Sequence, residues 1–229
     1  MSACVHSPTV SILSQSSVPA VPEQAIQFHA EGRAAGARGE LDAALRLLTE
    51  AAAMAPTWPN PIYDRAFTHL LREEYAAALA DYRKTLELSP RGFFTASAAV
   101  QTLEREARGE LPAGIYHAYT TLEWEEDKLE VRDVLEQVVE KFPIFAPAWL
   151  KLSSLVEDPN ERLRLLDRGL AASPDRDTKW MLILNKSQVL LALGENEASQ
   201  ALLRDVLADP ERSLAAEAWA KVLTNDEHA

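Results

Sequence analysis

Gly39-Glu-Leu-Asp-Ala-Ala-Leu-Arg-Leu-Leu-Thr-Glu-Ala-Ala-Ala-Met-Ala-Pro56 comes back 34 residues later as Glu73-Glu-Tyr-Ala-Ala-Ala-Leu-Ala-Asp-Tyr-Arg-Lys-Thr-Leu-Glu-Leu-Ser-Pro90. Leu41 aligns with Tyr75, Ala44 with Ala78, Leu48 with Tyr82 and Pro56 with Pro90. In the first copy Leu41, Ala44, Leu45, Leu48, Ala51 and Ala52 recur at spacings of three and four, the mark of one apolar stripe on a helix. A helix repeated at a fixed period implies an architecture in which each unit packs on its neighbours.

Composition agrees. Hydrophobic residues make up 47% of the 229, and glycines number only eight, so a packed helical protein is expected. The net charge of −12 lacks the basic footprint of a nucleic-acid binder and favours neutral or basic partners. Cys4 is the only cysteine, which excludes an intrachain disulfide and a multi-cysteine metal site. No apolar run reaches the ~18 residues of a membrane span. Residues 1–24 lack a secretory pattern, so the expectation is a cytoplasmic protein with no membrane role.

Outward from the quoted stretch, residues 1–24 are rich in Ser, Val and Pro and read as a disordered leader. Residues 25–92 read as two helical hairpins. The first helix is Ile26–Arg38, closed by Gly39; Pro61–Arg72, capped by Asn60, pairs with Tyr75–Leu88. The proline stops at 56, 90, 143, 174 and 210 then fall at gaps of 34, 53, 31 and 36. The long gap is one period plus nineteen residues, so 93–111 is expected to hold one unpaired helix, Phe93–Arg108, closed by Gly109. Three more hairpins fill 112–210, opening at Pro112, Pro147 and about Thr178. In the last helix, Glu211–Leu223, the packed face is expected to carry Leu214, Ala218, Trp219 and Val222. Arg212, Glu217 and Lys221 then face water, making a polar-backed cap over 211–229.

The hairpins resemble the tetratricopeptide repeat, a 34-residue helix–turn–helix with a W-x2-L-G-x2-Y…A-x3-F…P pattern. Phe28, Gly32, Ala35, Ala44, Leu48 and Pro56 match it, as do Ile62, Ala66, His69, Ala78, Tyr82 and Pro90. Trp149, Leu152, Ser153, Leu166 and Pro174 match in a later copy. The resemblance implies an all-α, right-handed solenoid of about five repeats, with one inserted helix and a capping helix. It also implies a concave groove lined by first helices, and the role of a scaffold or adaptor that holds a peptide or helical segment of a partner.

On that alignment the groove carries His29 and Arg33, then Asn60, Tyr63, Phe67 and Leu70, then Tyr116, Thr120 and Trp124. An apolar, aromatic lining of this kind suits an amphipathic segment. The Lys/Asn/Arg set by which some members hold a C-terminal carboxylate is missing. The acidic run around Trp124 and residues Asp158, Asp175 and Asp177 read as solvated turns and caps. No two of the five histidines stand four apart on a helix, and no nucleotide-binding or hydrolase motif occurs. A non-enzymatic interaction protein without cofactor or metal is therefore expected. The alternatives are a homodimer built through the inserted helix and its Phe93 and Phe94, and a small-ligand sensor or enzyme.

Overall fold

A computed structural model describes residues 20–122, 125 and 127–225. Among them are twelve helices and no strand. They are α1 (Glu23–Ala37), α2 (Leu41–Met54), α3 (Pro59–Leu71), α4 (Tyr75–Leu88), α5 (Ala96–Ala107) and α6 (Ile115–Thr121). The remainder are α7 (Lys128–Lys141), α8 (Ala146–Ser154), α9 (Pro159–Ala171), α10 (Arg176–Ala192), α11 (Asn196–Ala208) and α12 (Leu214–Asn225). The protein is an all-α solenoid built of successive packed helices. Most of residues 1–24 and the tail after Asn225 lie outside the described residues, as do Glu123, Trp124 and Glu126.

Four helices end in the same turn. Glu40 N–H donates to Ala35 C=O, Glu74 to His69, Glu110 to Arg105 and Glu195 to Leu190. Each turn has a left-handed residue just before the donor, supplied by Gly39, Glu73, Gly109 and Gly194. In three of the turns an arginine two residues before the glutamate pairs with it: Arg38–Glu40, Arg72–Glu74 and Arg108–Glu110. Thus α5 ends as α1 and α3 do, and Arg38-Gly-Glu-Leu41 recurs as Arg108-Gly-Glu-Leu111.

The repeat positions do the packing expected of them. Ala44, Leu48, Ala66, Ala78 and Tyr82 are buried between helices. Gly32 lies so close to Leu48 that a Cβ there would sit 2.9 Å from its Cγ. A second core joins α10, α11 and α12 through Trp180, Leu184, Leu203, Val206, Ala216 and Ala220.

Several expected boundaries move for identifiable reasons. Asn60 lies within the first turn of α3, because Pro59 already takes the first helical position. Helix α5 starts at Ala96, not Phe93, because Gly92 (φ 90°) and Phe94 (φ 44°) break the chain ahead of it. Helix α6 starts at Ile115 rather than Pro112: Glu106 reaches from α5 to accept from Gly114 N–H and Tyr116 N–H. Asp175 caps α10 ahead of Thr178 by accepting from Asp177 N–H and Thr178 N–H. In α12 the packed face is shifted, although Trp219 packs against the second core and Lys221 is exposed, both as expected. Ala216, Ala220 and Leu223 are buried, while Leu214 and Val222 are exposed, because Glu217 is drawn inward to Arg91 and Arg212.

The solenoid also turns back on itself. Residues 90–92, between α4 and α5, dock on the heads of α10 and α12. Leu214 N–H donates to Arg91 C=O at 3.0 Å, and Arg176 Nη1 donates to Pro90 C=O at 2.7 Å. Arg91 pairs with Glu217 across 126 residues of chain. Arg105 on α5 donates to Ser173 C=O at 2.9 Å and to Ile144 C=O at 2.5 Å. The last hairpin is thereby brought against α5.

Candidate functional site

Closure makes a cavity of about 200 Å³ on the inner face. Its wall is assembled from five helices. Tyr63 and Phe67 come from α3, Ala98 from α5, Tyr116, Tyr119 and Thr120 from α6, Pro147 and Leu150 from α8, and Asp177, Thr178 and Met181 from α10. Phe94 and Thr95 add the segment leading into α5.

One side is aromatic. Tyr63 meets Phe94 at 5.3 Å between ring centres, Phe93 at 5.4 Å and buried Tyr82 at 5.6 Å. Phe94 is 74% exposed and holds a left-handed backbone, so it stands at the rim as a ring with an open face. The Tyr63 hydroxyl lies 2.8 Å from Thr95 Oγ1, a hydrogen bond that ties α3 to the head of α5. Burial pushes the Tyr116 phenol well above its ordinary value; its hydrogen bond with Thr95 opposes this only in part. Tyr116 therefore lines the cavity as a neutral phenol.

The other side is the head of α10. Asp177 is 9% exposed, and its Oδ2 is buried without a hydrogen-bond partner. Its Oδ1 lies 3.3 Å from Arg176 Nε. Burial pushes the Asp177 carboxyl above the usual carboxylate range, against the pull of Arg176.

Of the nine groove residues expected from sequence, Tyr63, Phe67, Tyr116 and Thr120 come together at this cavity. Leu70 does not: it is fully buried in the core. His29 and Arg33 belong to a separate cluster at α1 and α3. There His29 Nε2 lies 2.6 Å from Asp64 Oδ2 and its ring meets Trp58 edge-on, with Arg33 3.6 Å from the same carboxylate. Asn60 is half-buried in the first turn of α3, and Trp124 lies outside the described residues. Sequence reasoning missed Thr95, Ala98, Tyr119, Leu150, Asp177 and Met181. For Asp177 and Met181 no local signal exists, because closure alone brings α10 to α5.

No protein-family model matches the chain, and neither does any curated protein. Solved structures of similar fold include MamA, residue 41 to the end, from Desulfovibrio magneticus RS-1. It is 17% identical, with 92% of this chain and 100% of that one covered and a TM-score of 0.40. TTC0263, a thermophilic tetratricopeptide-repeat protein of Thermus thermophilus, is 17% identical over 87% of this chain and 98% of that one, with a TM-score of 0.37. YrrB, described as such a protein with an unusual peptide-binding site, is 14% identical over 90% and 92%, also with a TM-score of 0.37. Among the described residues no helix is long and apolar enough to cross a membrane.

Proposed function

We propose that the protein is an interaction scaffold that receives a peptide or helical segment of a partner protein on its inner face. The observation that carries this is the cavity itself. Its lining is apolar and aromatic, with a few polar groups, as recognition sites are. Its volume of about 200 Å³ falls short of the ~300–1,000 Å³ of pockets for drug-sized ligands, and suits one or two side chains presented by a segment. The reading assigns no catalytic step and no cofactor.

The test is affinity capture from native lysate with quantitative mass spectrometry, using wild type, Phe94→Ala and Ala98→Met. Phe94→Ala removes an exposed ring from the rim, and Ala98→Met fills the cavity from α5. Each variant is first shown to be folded by circular dichroism. A protein enriched by wild type and lost from both variants supports the reading. Equal capture by all three refutes it. A second reading, self-association, is favoured by Leu214 and Val222, which are both exposed on α12 about two turns apart. A molar mass by light scattering that stays monomeric across concentration excludes it.

A further inference from the structure

We infer that the side chain received by the cavity is cationic, a lysine or arginine of the partner segment, held between the Asp177 carboxylate and the surrounding aromatic rings. The inference rests on the scaffold reading and adds the chemistry of the contact.

Among the described residues, Asp177 is the one charged side chain in the lining. Its Oδ2, buried beside Gly92, has no hydrogen-bond partner, so the charge of the carboxylate is left poorly compensated. Arg176 does not meet that need: it approaches the other oxygen and directs a second donor to Pro90 C=O. The head of a helix would normally favour an anion. Here the Asp175 carboxylate already accepts from the amides of Asp177 and Thr178, so the anion site of α10 is filled from within. A cation is what remains unprovided. Tyr63, Phe94 and Tyr119 line the same cavity, and aromatic rings attract a cation through their quadrupoles. The net charge of −12 draws the same class of partner. Residues 1–19 contain no lysine or arginine, so that stretch supplies no such side chain.

The experiment uses the full chain with labelled methionine methyl groups. Met181 lines the cavity, while Met54 lies on α2 away from it and serves as the control. The probes are n-butylammonium, n-propylguanidinium and neutral 1-butanol. Added to them is the peptide acetyl-Ala-Leu-Lys-Leu-Ala-amide, with counterparts carrying norleucine or glutamate at the central position. The expected result is a saturable shift of Met181 alone. Both cations should bind at least tenfold tighter than 1-butanol, and the lysine peptide tenfold tighter than its norleucine counterpart. Asp177→Asn should erase that preference, and Ala98→Met should remove all binding. The contrast between charged and neutral probes is read in wild type, so it stands even where a variant fails to fold. Equal binding of lysine and norleucine peptides overturns the cation and leaves the groove reading intact. If n-butylammonium binds as tightly as the lysine peptide, the ligand is a free amine and the segment is refuted. If no probe moves Met181, both readings fail.

Discussion

Gly92→Ala tests the closure on which the cavity depends. Gly92 has φ 90°, a conformation that costs a residue with a Cβ about 1–2 kcal/mol. A Cβ there would also lie 2.9 Å from Ser213 Cβ and 3.1 Å from Asp177 Oδ2. Both neighbours are fixed, Ser213 because its hydroxyl accepts from Ala216 N–H and Asp177 because it is buried in the first turn of α10. Overpacking of this kind costs about 1–3 kcal/mol. The sum is about 2–5 kcal/mol, or roughly 5–20 °C of melting temperature for a chain of this size. Gly109→Ala supplies the comparison. Gly109 has φ 72° but nothing within 4 Å of its Cβ position, so only the backbone cost of about 1–2 kcal/mol applies. Urea denaturation of the three proteins by circular dichroism separates the two contributions. Gly92→Ala should lose clearly more than Gly109→Ala. Equal losses would mean that residues 90–92 do not meet α10 and α12 in solution.

The remaining predictions concern single contacts. Ala78→Leu forces extra bulk into a fully buried site between α3 and α4 and should cost about 1–3 kcal/mol; an unchanged melting curve would show the repeat register to be wrong. Asp127→Ala removes the cap that accepts from Leu129 N–H and Glu130 N–H, and should cost about 0.5–2 kcal/mol with faster amide exchange at the head of α7; unchanged exchange there would refute the cap. Hydrogen bonds from Lys221 and Arg91 lower the Glu217 carboxyl to about 2. Its folded value lies below the ~4.3 of an unfolded glutamate, so its contribution is present above that value and is lost as pH falls toward 2. Glu217→Gln should therefore melt lower than wild type at neutral pH and converge with it near pH 2. Parallel curves would remove Glu217 from the closure.

What could be read from sequence was what the chain encodes locally. The hairpins α1–α2 and α3–α4 follow from an apolar period and a three-residue turn, both visible within one repeat. The turn itself tolerates Glu73 where the first copy has Gly39, which shows that hairpin packing holds a left-handed residue even without glycine. Arg38-Gly-Glu-Leu41 and Arg108-Gly-Glu-Leu111 spell the same turn, a signal in plain view that ties α5 to the first helices of the hairpins. Tyr63, Phe67, Tyr116 and Thr120 were legible because α3 and α6 present them by helical spacing. Asp177 reads as a turn residue after Pro174, which is all its neighbours in sequence reveal. The face of α12 is misleading for a related reason. Leu214, Ala218 and Val222 form the more apolar stripe, yet Arg91, remote in sequence, fixes Glu217 and turns the small Ala216 and Ala220 inward.

These two kinds of contact differ in strength as well as in legibility. Within hairpins the helices meet through fully buried side chains such as Leu48, Tyr82, Leu135 and Leu203. Burial of one such side chain is worth about 1.5–3 kcal/mol. The closure is largely polar. Arg105, Arg176 and the Leu214 amide donate to backbone carbonyls, and Arg91 pairs with Glu217. Hydrogen bonds of this kind contribute about 0.5–1.5 kcal/mol each, and ion pairs near the surface less. The hairpins should therefore outlast the closure under mild destabilisation. The cavity wall formed by α10 is then the part of the site that parts first from α3 and α5. A segment seated between Asp177 and Tyr63 would bridge that seam, so its binding energy goes into holding the ring shut.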